Sequence, residues 1–367
     1  AASDVYKRQT AASPPHSESI MPQALVIHAA RDLRVEDLPT ETPGPAQLRV
    51  QLRAGGICGS DLHYYQHGGF GTVRVKQAMV LGHEVSGVVV EVGSGLQGWH
   101  PGTRIAISPS RPCGQCEYCQ TGHHNHCMNM RFYGSAMPWP HIQGAFRQEM
   151  IIEHSQAHRV HDRVSDAEAA MAEPLSVALH AARRAGDLLG RRVLVSGCGP
   201  IGSLIVLVAR RAGAREVVAT DITDQTLARA QQVGATHTVN VATHPTGLDS
   251  YKRDKGQFDV LFEASGNAQA MALGFEVLRP RGIWVQVGTG GNTPIALNVW
   301  VAKEFDLRGS FRFHEEFALA VDLMNQGLVD VKPLISHSLP HTEFARAFEL
   351  AADRHQAMKV QMTFSDP

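Results

Sequence analysis

Four cysteines lie close together in the first half of the chain: Cys113, Cys116, Cys119 and Cys127. Four thiolates with no open position describe a structural zinc site of tetrahedral geometry. The loop around them is rich in Gly, Pro and polar residues, so a bound metal would supply its order. An iron–sulfur cluster also takes four cysteines, but the bacterial ferredoxin pattern places a Pro directly after the last one, and this loop does not. A nucleic-acid-binding zinc module is disfavoured because the loop has no basic face.

A glycine-rich motif, GCGPIG, follows the apolar run VLVS and precedes the helix-like stretch SLIVLVARRAG. This context fits the turn of a dinucleotide-binding βαβ unit, whose glycines allow a tight turn and the close approach of a pyrophosphate. A carboxylate at the end of the next apolar run would bind the adenosine ribose and repel a 2′-phosphate, which favours NAD over NADP. The alternative is a Gly-rich turn of an unrelated α/β domain. The predicted cofactor-binding residues are Gly197, Gly199, Pro200, Ile201, Gly202 and Asp221.

Three other segments carry side chains that could bind a second metal. Cys58 lies between glycines at the end of a strand-like run, and His83 and Glu84 precede another such run. Glu173 lies at the start of a helical run. One thiolate, one imidazole and one or two carboxylates with a water would form an open, catalytic zinc site. Each of these side chains taken singly has an ordinary role in a core or on a surface, and spacing alone leaves both interpretations open.

The hydrophobic patterning predicts two kinds of architecture in one chain. From residue 21 to about 160 short β-runs are broken by Gly and Pro, which indicates a β-rich barrel or sandwich. From about 168 strands alternate with helical runs, which indicates βαβ units and a parallel sheet. Residues 1–20 have no apolar periodicity and are predicted to be a disordered leader or a cloning scar, with Met21 as the true start.

Composition excludes several classes of function. The chain has 34 Lys+Arg against 35 Asp+Glu, so it is no polycation for nucleic acid. The apolar runs are all too short for a membrane span of about 18 residues. Six cysteines in 367 residues are too sparse for a disulfide scaffold. With reduced-looking cysteines and no secretory signal, the cytoplasm is the expected location.

The segments GGICGSDLHYY, LGHEVSGVVVEVG, CGQCEYC, AEPLSVALHA and VLVSGCGPIG occur in this order in the chain. From residue 21 onward the chain resembles the zinc-dependent medium-chain alcohol dehydrogenases. The resemblance implies a GroES-like β-rich catalytic domain, from 21–173 and 312–367, into which a Rossmann doubly wound parallel sheet is inserted at 174–311. It also implies NAD, two zinc ions per chain, a small-molecule substrate in the interdomain cleft, and a homo-oligomer, either a dimer or a tetramer. A zinc-free enone reductase and a non-catalytic dinucleotide-binding protein are the rival classes.

The same resemblance implies roles for individual residues. Cys58, His83 and Glu84 would be catalytic-zinc residues, and Glu173 would bind that zinc directly or through a water. Ser60 and His63 would pass the alcohol proton toward solvent, and Tyr64 would line the substrate pocket. Zinc would polarise the substrate hydroxyl, and the carbinol hydride would move to the nicotinamide.

The resemblance also narrows the substrate. A glutamate at 173, where alcohol dehydrogenases proper have a cysteine, resembles the sorbitol and polyol branch. MRFYGSAM, LRGSFRFHEEF and QAMKVQ resemble enzymes that oxidise C5 of L-idonate to give 5-keto-D-gluconate. Sorbitol and xylitol are the alternative substrates. Because a buried carboxylate needs a cation, and an arginine suits it best, Arg131 and Arg312 are the candidates to bind the aldonate carboxylate. The alternative is that Arg131 only borders the cysteine loop and that Arg312 binds a hydroxyl or the cofactor.

Overall fold

The structure of the protein is a computed structural model that describes residues 21–39 and 41–364. The predicted leader at 1–20 lies outside the described residues. In the described part the strands form two large sheets and three small ones. None of the helices in that part is long and apolar enough to cross a membrane.

The first large sheet has seven strands, which come from both ends of the described chain. Its central strand, Gln47–Gly56, pairs antiparallel with Glu84–Val92 on one side and with the last strand, Lys359–Thr363, on the other. The carboxyl end of the central strand is therefore flanked by two segments that are far apart in sequence, with Glu84 and Lys359 separated by 275 positions. The remaining strands of this sheet are Arg104–Ile107, Glu149–Glu153, Ala157–Arg159 and Ile335–Pro340.

Three small sheets complete the β-rich part. A three-stranded sheet is antiparallel, and each of the other two is a two-stranded pair. Their strands are Gln23–Ala29, Asp32–Asp37 and Met79–Val80, then Gly69–Phe70 with Val73–Arg74, and Ser110–Arg111 with Arg131–Phe132. Short strands broken by turns are what the patterning between 21 and 160 predicts.

The second large sheet has six strands, all parallel, and confirms the predicted Rossmann architecture. Counted along the chain from Arg192–Ser196, its strands lie in the order 3-2-1-4-5-6, which is the dinucleotide-binding order. Ligands of such sheets bind beyond the carboxyl ends of the strands, where the order reverses. The other strands are Glu216–Asp221, His237–Asn240, Phe258–Glu263, Leu278–Gln286 and Asp306–Gly309.

Helices cover both faces of the parallel sheet and connect the two parts of the molecule. Helix Ala172–Ala185 lies against Pro200–Arg211 and Glu316–Asn325. Phe313 and Phe317 share one hydrophobic core with the Rossmann strands, so this core extends past residue 311. The domain boundary between 311 and 312 stays a prediction. The other α-helices are Gly59–His67, Glu117–Gln120, Asp166–Ala170, Asp224–Gln232, Ala268–Val277, Leu297–Lys303 and Phe344–Ala352, and the 3-10 helices are His124–His126, His154–Gln156, Asp249–Lys255, Lys332–Leu334 and His341–Glu343.

Candidate active site

The four clustered cysteines converge on one point of their loop. The ligand atoms of all four lie within 4.8 Å of one another, and each cysteine is a free thiol. The Sγ of Cys116 lies 3.5 Å from that of Cys119 and 3.9 Å from that of Cys127. A tetrahedral zinc with bonds of about 2.3 Å separates its sulfurs by roughly 3.8 Å, so the group fits this metal. Backbone N–H groups of Cys113 and Asn129 donate to the Cys127 sulfur, as they would to a thiolate.

A second group of possible ligands joins Cys58, His83 and Glu84, whose ligand atoms also lie within 4.8 Å of one another. Cys58 is the N-terminal cap of helix Gly59–His67, and Glu84 begins a strand that pairs with Gly56. The absence of a side chain at Gly56 is required, because a Cβ atom there would overlap the carboxylate of Glu84. The register of the sheet thus places the Glu84 carboxyl and the His83 imidazole next to the Cys58 thiol, just after the end of the central strand.

Glu173 lies beside this group but outside the set within 4.8 Å. Its side chain is buried in the first turn of helix Ala172–Ala185, and no hydrogen bond or ion pair with the described residues is found for it. Burial raises the pKa of Glu173 to about 7, while the positive charge of His83 opposes the rise. A carboxyl in this position fits a role across a water better than direct ligation.

Sequence reasoning missed Lys359, which is almost fully buried next to the group. Its Nζ donates to both carboxylate oxygens of Glu84, at 2.8 and 2.7 Å, and to the Ile57 carbonyl at 3.1 Å. Burial lowers the pKa of Lys359, but the nearby Glu84 and Cys58 outweigh this effect and raise it overall. The final strand, KVQMT, alternates polar and apolar residues, so nothing in the sequence distinguished Lys359 from a lysine that faces solvent.

Asp61 was also missed, although it lies in the motif around Cys58. It is completely buried and accepts hydrogen bonds from the backbone N–H groups of Cys58, at 3.0 Å, and Gly82, at 3.2 Å. Its Oδ1 lies 3.9 Å from the Nδ1 of His83. Asp61 therefore holds together the two segments that carry the thiol and the imidazole.

The buried charges favour a cation in this group. Asp61, Glu84 and Glu173 are three buried carboxyls beside a thiol, and Lys359 is the only buried lysine facing them among the described residues. The Nδ1 of His83 is buried without a hydrogen-bond partner. Burial lowers the pKa of His83, but Asp61 and Cys58 hold it well above its usual range. The thiol of Cys58, the imidazole of His83 and the carboxyl of Glu84 form a donor set that suits zinc, and a zinc bound there would take the place of the proton on His83.

The residues predicted to carry the proton lie on the helix that follows Cys58. Ser60 is half-buried and His63 is exposed, one helical turn further on, so the pair leads from the group toward solvent. Tyr64 lies in the core instead, where its hydroxyl accepts a hydrogen bond from the Ala136 N–H at 3.1 Å. Burial raises the pKa of Tyr64, and the nearby Arg312 opposes the rise. Its role in lining the pocket stays a prediction.

The structure separates the two candidate arginines. Arg131 is exposed and pairs in a short strand with Arg111, whereas its neighbour Phe132 is buried against the His83 ring. Arg312 lies with its guanidinium carbon 4.5 Å from the Phe132 ring centre, near Tyr64 and Glu173. The described residues include no carboxylate within ion-pair distance of Arg312. This arginine is therefore a desolvated cation at the edge of the candidate metal group.

The glycine-rich turn has the predicted geometry. Gly197 has φ of 86°, and Gly199 caps the helix that starts at Pro200 and Ile201. A Cβ atom on Gly202 would overlap the carbonyl of Gly197, so helix and strand can approach only with glycine there. Asp221 ends its strand and accepts a hydrogen bond from the Cys198 N–H at 2.7 Å. Its carboxylate thus lies at the turn where a ribose would bind.

Comparison with known families agrees with this geometry. Residues 44–162 match the alcohol dehydrogenase GroES-like domain, and residues 200–326 match the zinc-binding dehydrogenase domain. The chain is also 44% identical over 316 residues to L-idonate 5-dehydrogenase (NAD(P)(+)) of Escherichia coli, covering 86% of this chain and 91% of that protein. This chain belongs to the zinc-binding alcohol dehydrogenase family. It is an oxidoreductase of the zinc-dependent alcohol and polyol dehydrogenase type, as its sequence motifs predict.

One further relative and one crystal structure place the chain within the family. Sorbitol dehydrogenase of Bos taurus is 36% identical over 331 residues, which cover 89% of this chain and 92% of that protein. The crystal structure of the Escherichia coli L-idonate 5-dehydrogenase superposes with a TM-score of 0.87 at 40% identity, covering 94% of this chain and 98% of that one. The name of the Escherichia coli enzyme includes both NAD and NADP, so the preference for NAD stays a prediction.

Proposed function

We propose that this enzyme oxidises the C5 hydroxyl of L-idonate, giving 5-keto-D-gluconate with NAD as the acceptor. The observation that carries the proposal is Arg312, a half-buried cation without a carboxylate partner among the described residues, at the edge of the candidate zinc group. A neutral polyol supplies no anion for such a group, whereas an aldonate does. The similarity to L-idonate 5-dehydrogenase supports the same choice.

Cys58, His83 and Glu84 would hold the catalytic zinc, with Glu173 across a water, and the four clustered cysteines would hold the structural zinc. When bound, the catalytic zinc acts as a Lewis acid that acidifies the substrate hydroxyl. Ser60 would accept the hydroxyl proton and His63 would deliver it to solvent. Lys359 donates to both oxygens of the Glu84 carboxylate and so orients it, and Asp61 holds the Cys58 and Gly82 backbones. NAD, which the glycine-rich turn and Asp221 would hold, would supply the acceptor for the hydride of C5, and the balance of one turnover would be one NADH and one proton.

Sorbitol or xylitol dehydrogenase is the second candidate, supported by the similarity to sorbitol dehydrogenases. Initial rates of NADH formation with L-idonate, sorbitol, xylitol, L-threonate and ethanol distinguish the two. We expect the highest kcat/KM with L-idonate, and a higher value with a neutral polyol would reject the proposal. Metal analysis should give two zinc ions per chain, whereas a binding protein that retains only the cysteine cluster would hold one.

Replacing Arg312 with glutamine should impair oxidation of L-idonate selectively. Loss of a charge-assisted hydrogen bond costs about 1.5–3 kcal/mol, which is on the order of 10- to 100-fold in kcat/KM. The measurement is the ratio of kcat/KM for L-idonate to that for sorbitol. Arg131→Gln is the matched control, because Arg131 is exposed while its neighbour Phe132 is buried. An unchanged ratio in Arg312→Gln rules out the carboxylate role.

Asp221 should make NAD the preferred coenzyme. The Asp221→Ser variant, combined with Ile222→Arg, removes the repulsion of a 2′-phosphate and adds a cation at an exposed position. We expect the ratio of kcat/KM for NAD to that for NADP to fall by about tenfold or more, a change of roughly 1.4 kcal/mol. Asp224→Asn, at the start of the helix that follows, is the control. Equal use of both coenzymes by the unaltered enzyme would contradict the assignment.

We propose that the enzyme forms a homo-oligomer through the edge of its six-stranded sheet. Strand Asp306–Gly309 has a neighbour on one side only among the described strands. Exposed apolar side chains occur in this strand, at Leu307, and in the helix directly before it, at Leu297 and Val301. A second copy would cover this open edge, which isolated proteins otherwise protect. Sedimentation equilibrium measures the assembly, and a monomer would refute this proposal.

The cytoplasmic location stays a prediction.

A further inference from the structure

The four clustered cysteines lie in one loop, residues 113–127, which we call the cysteine loop. Its short helix His124–His126 packs on the segment that carries Arg312. The Asn125 side-chain amide donates to the Phe311 carbonyl at 3.0 Å. The His126 ring stacks on the Phe311 ring with centroids 6.0 Å apart. The Nδ1 of His124 lies 3.1 Å from a carboxylate oxygen of Glu315. These contacts join residues that are about 190 positions apart, and they bracket Arg312 on both sides.

Arg312 needs such support because of its backbone. It has φ of 53°, a left-handed conformation that is costly for a residue with a side chain. It lies in an irregular segment between strand Asp306–Gly309 and helix Glu316–Asn325, so no ladder of backbone hydrogen bonds fixes it. A conformation of this kind persists only when neighbouring groups hold it. The contacts at Phe311 and Glu315 are therefore placed to hold it.

The cysteine cluster in turn determines the position of this short helix. Cys127 directly follows His126, and its N–H donates to the His124 carbonyl at 3.0 Å. The Cys127 sulfur belongs to the four-sulfur group. Only His126 separates Cys127 from Asn125, so the sulfur group and the contacts with Phe311 lie within three consecutive residues. The loop is thus a direct mechanical link between the cluster and Arg312.

We infer that the cysteine loop positions Arg312 for the substrate carboxylate, with Asn125 as the principal positioning residue. The metal of the four-cysteine site then supports substrate affinity as well as stability. This inference rests on the proposed function, since it assigns an effect to the carboxylate-binding arginine. Asn125 itself lies in the loop and acts through the Phe311 backbone, so it is not a catalytic residue.

Asn125→Ala tests the inference. Loss of one hydrogen bond that holds a strained segment should raise KM for L-idonate by about 3- to 10-fold, with a smaller change in kcat. Titration calorimetry of L-idonate into the enzyme–NADH complex measures the same loss as a weaker Kd without turnover. Gln120→Ala removes an exposed amide side chain from the same loop and is the matched control. It should leave both constants unchanged.

A double-mutant cycle separates positioning from a general structural effect. If Asn125 acts through Arg312, adding Asn125→Ala to Arg312→Gln should produce little further loss of L-idonate affinity. Additive losses, or an Asn125→Ala enzyme with unaltered KM and Kd, would overturn the inference. An Arg312→Gln enzyme with unchanged preference for L-idonate would remove the carboxylate role on which the inference rests. An unaltered enzyme that prefers sorbitol would instead overturn the proposed function, so the failures are distinguishable. Equal losses for sorbitol and L-idonate in Asn125→Ala would also overturn the inference.

Discussion

The Cys58→Ser variant is expected to lose at least about 100-fold in kcat while remaining folded. Changes in the outer sphere of a metal site already cost 10- to 100-fold, and Cys58 would be a direct ligand. The hydroxyl of serine is a poor ligand for zinc compared with a thiolate. Cys58 is the N-cap of helix Gly59–His67, and serine is a favoured N-cap residue, so the substitution should leave the backbone intact. Initial rates, circular dichroism and zinc content per chain are the measurements.

Cys116→Ser is the matched comparison, because it removes one thiol from the other cluster. A structural zinc contributes its binding free energy to folding, so this variant should lower the melting temperature. Both variants should hold about one zinc per chain instead of two. Their losses should differ in kind, with activity lost in Cys58→Ser and thermal stability lost in Cys116→Ser. If both variants lost the same property, the division into a catalytic and a structural site would be wrong.

Replacing Lys359 with methionine should be the most destabilising single change near the site. The variant leaves the buried Glu84 carboxylate without the ammonium that now contacts both of its oxygens. Breaking a buried ion pair by removing one partner costs about 3–5 kcal/mol in the free energy of unfolding. The Ile57 carbonyl also loses a donor. Denaturant unfolding of the metal-free protein measures the cost without contribution from bound zinc.

The double variant Lys359→Met/Glu84→Gln is the control for this prediction. Removing both charges leaves no buried ion without a partner, so most of the lost stability should return. Activity should not return, because Glu84 is a candidate zinc ligand. A double variant as unstable as Lys359→Met would show that packing of the lysine stem, rather than its charge, stabilises the strand. That result would contradict the conclusion that the charge of Lys359 stabilises the buried Glu84 carboxylate.

Local motifs explain which parts of the site the sequence predicted. The four cysteines lie in one short loop, so their spacing alone restricts where the sulfurs can meet. The glycine-rich turn and Asp221 belong to one βαβ unit, whose geometry is the same wherever it occurs. The alternation of strands and helices predicted the parallel sheet for the same reason. In each case the groups that must meet are close along the chain.

The tertiary structure decided the contacts between distant segments. Lys359 reaches Glu84 because both strands flank Gln47–Gly56 in one register, and a slip of one residue would turn either side chain to the other face. Strand alternation likewise exposes Arg131 and buries Phe132, which leaves Arg312 as the cation at the site. Periodicity in a sequence predicts on which face of a strand a side chain lies, but not which other element packs against that face. That choice depends on packing between elements, and here packing assigned Lys359, Asp61 and Arg312 to the candidate active site.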